Sequence, residues 1–267
     1  MNFSRDRYIM DDPREAERLR DKADAENWVR KFVLPHLSSA CRVVEFGCGP
    51  GEFIHAICDA LPALAVVGVD CSPDRINIAQ ERNRRHGQAE FLCRDAKDTG
   101  LATNSCDVVF CRFMLEYVLD KQGAVNEMFR ICRPGGKVIL QDLDGQLLWH
   151  DPIEPALQAD VERVLNFLAT TGFDPFTGRK LRRLARQAGF TNVEVAIEPY
   201  HLIAGSINQT DLRHWQAKLD IAQPLISNAL GSEVASSRLI QAMMAFFDDP
   251  ETLTYSNLFT ITGEKAG

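Results

Sequence analysis

The chain has 267 residues, 45% of them hydrophobic and 25% charged, which is typical of a folded domain with an ample core. Its formal net charge of −7 argues against a nucleic-acid partner, because such binding depends on clustered Lys and Arg. No apolar run is long enough to span a membrane, and the charged start of the chain lacks the apolar core of a secretory signal. We therefore expect a cytoplasmic protein without a membrane segment.

The cysteine pattern points the same way. The eight cysteines form no C-x-x-C pair, and most lie in or beside apolar runs. We expect buried, reduced thiols in a reducing compartment, and no structural metal.

The first predicted element is a helical arm at residues 1–38, preceding a domain at 39–267. A helix start is indicated at 12–15, where Asp12 is placed to cap and Pro13 to occupy the first turn. The helices run to about Leu37 and carry an apolar face formed by Trp28, Val29, Phe32 and Val33.

The segment VVEFGCGPG, residues 43–51, predicts a strand that ends in a glycine turn. A helix follows, with apolar residues at helical spacing as far as Leu61 and Pro62 at its end. Such a strand–turn–helix unit brings bare backbone close to a ligand. Asp70 ends the apolar run AVVGVD, 19 residues after Gly51, where an acid is placed to accept hydrogen bonds from ribose hydroxyls. The unit therefore predicts a ligand that contains a nucleoside.

The glycine spacing bears on which nucleoside binds. Dinucleotide-binding turns follow G-x-G-x-x-G, whereas this turn is one residue shorter and follows an acid, Glu45. A carboxylate there suits an amine better than phosphates, which it would repel. Two alternatives stay open: an oxidoreductase that uses a nicotinamide cofactor, and a non-catalytic binding protein.

The rest of the chain continues the alternation of strands and helices, which predicts an α/β, doubly wound parallel sheet. A helix begins with Ser72 as cap and Pro73 in its first turn. Further strands are predicted at AEFLCRDA, 106–114, KVILQ, VEVAIEPY and 255–262, with a helix at 124–131 and an R-P-G-G turn before KVILQ. Helical insertions on the substrate side are predicted at about 143–180 and 203–250.

The motif E-F-G-C-G-P-G, the acid Asp70 and the P-G-G turn resemble class I S-adenosylmethionine-dependent methyltransferases. The segments DPFTGRKLRRLARQAGF and PREAERL resemble bacterial small-molecule members of UbiE-like or natural-product type. The resemblance implies a seven-stranded Rossmann-like sheet whose last strand is antiparallel, with a helical lid. It implies methyl transfer from S-adenosyl-L-methionine, without a metal, to a small, partly apolar molecule, with S-adenosyl-L-homocysteine as product. A role in secondary metabolism, such as antibiotic biosynthesis, is also implied.

The resemblance also assigns site residues. Those implied to bind the cofactor are Glu45, Gly47, Cys48, Gly49, Gly51, Asp70, Cys71, Asp95, Ala96, Cys111 and Arg112. Tyr117 stands where relatives often carry a substrate-facing histidine, so it is a candidate to orient the substrate or merely to pack. Glu116 and His201 are the other catalytic candidates, and Tyr8, Asp142 and Trp215 are candidates for substrate binding. The acceptor atom is left open between carbon, nitrogen and oxygen, and a homodimer is conceivable.

Overall fold

The computed structural model describes residues 24–37, 41–83, 87 and 89–267. Within them, seven strands form one sheet in the order β3-β2-β1-β4-β5-β7-β6. The strands are β1 (Arg42–Phe46), β2 (Ala65–Asp70), β3 (Ala89–Cys93), β4 (Cys106–Arg112), β5 (Cys132–Asp151), β6 (Thr191–Ala204) and β7 (Leu253–Glu264). The helices are α1 (Ala25–Phe32), α2 (Glu52–Ala60), α3 (Pro73–Asn83), α4 (Lys121–Ile131), α5 (Pro155–Ala169), α6 (Leu181–Ala188), α7 (Gln209–Leu230) and α8 (Glu233–Phe247).

The sheet has the predicted topology. Strands β3, β2, β1, β4 and β5 pair in parallel, whereas β7 runs antiparallel between β5 and β6. Four of the five residues of β1 and five of the six in β2 are buried, because helices cover both faces of a parallel sheet. The expected Rossmann-like fold with an antiparallel last strand is confirmed.

Strand β5 is much longer than the predicted KVILQ segment. The R-P-G-G sequence lies within the strand and interrupts the regular pairing with β4. Cys132 pairs with Cys106, and the next registered pair joins Lys137 to Val108. Beyond Gln141 the strand continues against β7 as far as Asp151. In the segment predicted as an insertion at about 143–180, the first helix, α5, begins at Pro155, because residues 143–151 belong to this ribbon.

The helices α5, α7 and α8 pack together into a cluster separate from the two layers that cover the sheet. Its buried side chains include Leu165, Trp215, Met243 and Phe247, and Tyr117 packs against its edge. The cluster is where the sequence predicts a lid, and its contact with Tyr117 places it beside the loop that follows β4.

Helix α1 is the described part of the predicted arm. The Trp28 ring lies 5.0 Å from the Phe53 ring and 5.3 Å from the Phe110 ring, and its Nε1 donates to Gln141 Oε1 at 2.8 Å. The predicted helix start at 12–15 and the candidate Tyr8 lie outside the described residues. In the part of the chain that the structure describes, no helix has the length and apolar character needed to cross a bilayer.

Candidate functional site

The turn after β1 is tied to the end of β2. The backbone N–H groups of Gly47 and Cys48 donate to Val69 O at 2.7 and 3.0 Å, and Gly49 N donates to Asp70 Oδ2 at 2.8 Å. Gly47 has φ +71°, and a Cβ there would lie 2.7 Å from Met114 Cγ. A Cβ on Gly49 would meet nothing within 4 Å. The turn is thus packed at Gly47 and open at Gly49.

The open side faces a cavity of about 300 Å³. It extends from the glycine turn, past the loop after β4, to helix α7. The predicted site residues that line it are Glu45, Gly47, Cys48, Gly49, Asp70, Cys71, Asp95, Ala96, Arg112, Glu116, Tyr117 and His201. One cavity therefore brings together residues at or just beyond the carboxyl ends of β1, β2, β3 and β4 and near the end of β6, as expected where the carboxyl ends of strands meet.

Two residues predicted to bind a cofactor do not line this cavity. Gly51 precedes α2 with φ +85°, and a Cβ there would lie 3.0 Å from the Phe91 ring and 3.1 Å from His55 Nε2. A glycine at position 51 therefore permits the left-handed backbone that begins α2 and the close approach of Phe91 and His55. Cys111 is fully buried in the core, because its side chain points into the packed layer and not toward the strand ends.

Two residues predicted to bind substrate, Asp142 and Trp215, likewise do not line this cavity. Asp142 is fully buried, and its carboxylate accepts the backbone N–H groups of Glu116 and Leu143, both at 3.0 Å. Asp142 therefore positions the loop that carries Glu116. Trp215 packs inside the cluster formed by α5, α7 and α8, 4.8 Å from the Phe247 ring and 5.2 Å from the His201 ring, which lines the cavity, so Trp215 supports the cavity wall from behind.

Asp70 is held in place by backbone. Its Oδ2 accepts from Gly49 N and its Oδ1 accepts from Ser72 N at 2.9 Å, while the residue is only 8% exposed. A carboxylate oxygen has two lone-pair sites, so each oxygen retains the capacity to accept one more hydrogen bond from a ligand.

Glu45 lies on the floor of the same cavity, and its Oε2 is buried without a hydrogen-bond partner among the described residues. Burial, and next the negative charge of Asp70, raise the pKa of Glu45 well above its usual range, while Arg112 acts in the opposite direction. A buried acceptor without a partner is costly, so this oxygen is suited to a ligand that donates a hydrogen bond or carries a positive charge.

Arg112 stands beside Glu45 and is fixed by its neighbours. Its Nε donates to Gln141 Oε1 at 2.7 Å, its guanidinium lies 3.9 Å from the Phe113 ring centroid, and it hydrogen-bonds Tyr200. Burial lowers the pKa of Arg112 from its ordinary value.

Asp95 and Cys71 lie at the outer rim. Asp95 is exposed, and its Oδ1 accepts from Lys97 N at 2.8 Å. Burial and the charge of Asp70 raise the pKa of the Cys71 thiol to about 11, so the thiol is neutral at ordinary pH.

The end of the cavity away from the glycine turn contains a cluster of polar side chains. The sequence patterns identified Glu116 and His201 there, but not Gln146 and Lys218. Glu116 is 2% exposed, and the orientation of the Gln146 amide that satisfies both neighbours donates to Glu116 Oε2 at 3.0 Å and accepts from Lys218 Nζ. Burial is the main cause that raises the pKa of Glu116 to about 7. His201 lies nearby with φ +51°, its ring 4.4 Å from that of Tyr200.

Gln146 and Lys218 were missed because no motif marks them. Gln146 lies in the unpredicted extension of β5, and Lys218 is one polar residue on a long helix. The available signal was a lysine three residues after Trp215, on a helix whose other predicted face is apolar. Among the described residues, no three His, Cys, Asp or Glu side chains are grouped as a metal site would require.

Comparison with known proteins identifies a domain in the first half of the chain. Residues 44–140 match the model of the methyltransferase domain family, and they extend from β1 to the middle of β5 with the glycine turn and the ends of β1 to β4 that line the cavity. This segment is a methyltransferase domain. The chain as a whole is similar to phosphoethanolamine N-methyltransferase 2 of Haemonchus contortus in complex with phosphomonomethylethanolamine and S-adenosylhomocysteine. That match has a TM-score of 0.59 and 17% identity, and it covers 91% of this chain and 52% of that one. At this identity the likeness establishes the fold.

Curated relatives of the methyltransferase domain act on different molecules. A malonyl-[acyl-carrier protein] O-methyltransferase of Alcanivorax borkumensis is 34% identical over 107 residues, which cover 40% of this chain and 36% of that protein. A demethylmenaquinone methyltransferase of Staphylococcus aureus is 27% identical over 182 residues, which cover 62% of this chain and 75% of that protein. The chain spans between 36% and 42% of the length of several relatives that it matches.

Proposed function

We propose that the chain is an S-adenosylmethionine-dependent methyltransferase whose acceptor is a small, partly apolar molecule. The observation that carries the proposal is the buried Oε2 of Glu45, which lacks a partner among the described residues and lies beside the open Gly49. The α-amino group of S-adenosylmethionine would donate to Glu45, and its ribose hydroxyls would donate to Asp70. Asp70, and Glu45 wherever it is ionised, would repel a pyrophosphate, which disfavours the alternative of a nicotinamide dinucleotide.

The remaining cofactor contacts follow from position. Asp95 and Ala96, at the rim beyond β3, are proposed to contact the adenine, and Cys71 to pack beside the ribose. Arg112 is placed between Glu45 and the acceptor end, where its fixed guanidinium would pair with the carboxylate of the methionine moiety.

Bound in this cavity, the cofactor supplies a methyl group on a positively charged sulfur, which a nucleophile takes by in-line displacement. The protein would align the acceptor and exclude water. Apolar walls at the acceptor end come from Phe113, Met114, Val118, Leu119 and Leu143. Tyr117 and His201 are proposed to orient the acceptor, and Glu116 to accept a proton.

The proposal also includes the cell compartment, the acceptor class and the metabolic role. The eight cysteines, all within the described residues, form no disulfide there, which supports a reducing compartment such as the cytoplasm. The acidic net charge supports a small-molecule acceptor over a nucleic acid. We also propose that the arm at 1–38 and the segments 143–180 and 203–250 enclose the acceptor, that the product serves secondary metabolism, including antibiotic biosynthesis, and that a homodimer forms.

Calorimetry with two ligands tests the assignment of Glu45. S-adenosylhomocysteine carries the amino-acid moiety, whereas 5′-methylthioadenosine keeps the nucleoside and lacks the amine. Glu45→Gln should weaken binding of S-adenosylhomocysteine by roughly 1.5–3 kcal/mol, the range for a hydrogen bond to a charged group. It should leave the affinity for 5′-methylthioadenosine nearly unchanged.

Glu251→Gln is the matched control, because it removes an exposed carboxylate from the turn before β7. If the wild-type protein binds NAD and not S-adenosylhomocysteine, the proposal is wrong. If it binds S-adenosylhomocysteine but transfers no labelled methyl group to any acceptor in a panel of cell extracts, the non-catalytic alternative is favoured.

A further inference from the structure

We propose that Glu116 is the catalytic base for an acceptor with a weakly acidic hydroxyl group, a phenol or an enol, and that Lys218 stabilises the oxygen of that group as it becomes an anion. This inference rests on the proposed function and assigns the methyl group to oxygen. Its evidence lies at the end of the cavity opposite the glycine turn.

Three elements that are distant in sequence bring the polar side chains together there. Glu116 belongs to a 3-10 turn, Leu115–Tyr117, after β4; Gln146 comes from β5; and Lys218 comes from the lid helix α7. All three line the cavity. The Gln146 amide bridges the other two, because it donates to Glu116 and accepts from Lys218. The carboxylate of Glu116 and the ammonium group of Lys218 thus belong to residues that line the same cavity, and the Gln146 amide lies between them.

The carboxylate is held in a defined position. The backbone of Glu116 is fixed by Asp142, which accepts its N–H at 3.0 Å. Its side chain is 2% exposed and accepts hydrogen bonds from Gln146 and from Tyr117. A base must be aligned with the proton that it removes, and this side chain is positioned from several sides.

Burial and the surrounding charges together set the pKa of Glu116. Lys218 and Lys121 favour the ionised form of Glu116, and Asp174 opposes it. Asp142 shares this environment, and the charge of Glu116 contributes to the raised pKa of its carboxyl. The outcome of these effects and of burial is a pKa of about 7 for Glu116, the range in which a general base is effective at neutral pH.

The positive charge of Lys218 favours one class of acceptor over another. Lys218 lines the cavity, and its Nζ is held beside Gln146, where the partly excluded solvent strengthens charge interactions. A protonated amine would be repelled by it, whereas a phenolate or enolate would be stabilised. The apolar and aromatic walls, including Phe113, Met114 and Tyr200, suit the unsaturated body that such a hydroxyl requires.

The proposed step balances in atoms and charge. The acceptor's O–H proton passes to a carboxylate oxygen of Glu116, and an oxygen lone pair forms the new O–CH₃ bond. The electron pair of the broken C–S bond stays on sulfur, which becomes a neutral thioether. The protonated Glu116 then returns its proton to solvent.

Two probes with the same apolar body test the inference: 2-naphthol and 2-naphthylmethylamine, which is protonated at neutral pH. Binding of each to the full chain saturated with S-adenosylhomocysteine is measured by calorimetry, and transfer from methyl-labelled S-adenosylmethionine is measured across pH. We expect tighter binding of naphthol and label only on its oxygen. Lys218→Gln should reduce the preference for naphthol about tenfold, as for the loss of one charged hydrogen bond.

Glu116→Gln should leave naphthol bound but reduce transfer roughly 100-fold or more, and it should remove the rise of the rate through pH about 7. Arg213→Gln, which removes an exposed cation from the same helix as Lys218, should change neither property. Equal or tighter binding of the amine, absence of naphthol binding, or an unchanged pH profile in Glu116→Gln would each overturn the inference. Failure of the wild-type chain to bind S-adenosylhomocysteine would instead refute the proposed function itself.

Discussion

Two carboxylates at the glycine turn, Glu45 and Asp70, end neighbouring strands yet have different surroundings. Asp70 accepts two backbone N–H groups, which satisfy part of its capacity. Glu45 is 2% exposed, and its Oε2 has no such partner among the described residues. The fold therefore already holds the Asp70 carboxylate in place, whereas the Oε2 atom of Glu45 can accept a hydrogen bond from a ligand.

This difference predicts proton release on binding. Burial and Asp70 raise the pKa of Glu45 in the free protein, whereas a ligand ammonium group would lower it. Binding of S-adenosylhomocysteine should then release a proton wherever free Glu45 is protonated, and the affinity should fall as pH falls. Calorimetry in two buffers of different ionisation enthalpy measures the release. Glu45→Gln should abolish it; equal release by the variant and the wild type would contradict the assignment.

Sequence patterns at this scale are informative where residue type and spacing coincide. Glu45, Gly49 and Asp70 lie within one βαβ unit, so the local pattern alone indicates that they are close together. Gln146 and Lys218 lie 72 residues apart in the chain and meet only through the packing of α7 over the end of β5. No local signal specifies such a contact.

At the scale of elements, the first turn depends on close packing against the loop after β4. Gly47 and Gly231 have nearly the same backbone conformation, φ +71° and +73°, but only Gly47 has a neighbour, Met114, at the position of a Cβ. The two positions therefore separate backbone strain from steric contact.

Gly47→Ala should destabilise the fold more than Gly231→Ala. Both substitutions incur left-handed strain of about 1–2 kcal/mol, and crowding of Met114 should add roughly 1–3 kcal/mol at Gly47. Denaturant unfolding monitored by circular dichroism measures both free energies of unfolding. Equal losses would show that Met114 moves aside without cost.

Strand β5 was the element least accessible from sequence. The segment DLDGQLLWHD mixes acids and apolar residues, and its buried polar side chains hide the two-residue period of a strand. Its partner β7 is more than a hundred residues later in the chain. The strand is extended there because of that distant pairing, which local preference does not reveal.

At the scale of the whole molecule, several acids are buried inside the fold. Glu45, Glu116 and Asp142 all have a pKa raised chiefly by burial. A raised pKa means that the folded state binds protons more tightly than the unfolded chain, so stability is lost as pH rises through the folded pKa. Glu127 and Asp174 have lowered pKa values and act in the opposite sense, at more acidic pH.

Glu116 alone should reduce the free energy of unfolding by about 3 kcal/mol between pH 4.5 and about 7. Glu116→Gln should flatten this part of the pH dependence and reduce the contribution of Asp142, whose pKa the charge of Glu116 helps to raise, while Glu45 preserves the rest. Urea unfolding of both proteins at intervals across this range measures the difference. Parallel curves for wild type and variant would mean that Glu116 titrates alike in the folded and unfolded states.

The ribbon formed by β5 and β7 has a consequence for how such a protein diversifies. The helices α5, α7 and α8 lie in two excursions that leave the sheet after Asp151 and after Ala204, and the chain returns to the sheet at Thr191 and Leu253. Both excursions start and finish on strands at one border of the sheet, whereas the glycine turn and Asp70 lie toward the other. Mutation can therefore reshape the half that we propose selects the acceptor, while the half that we propose binds the nucleoside keeps its architecture.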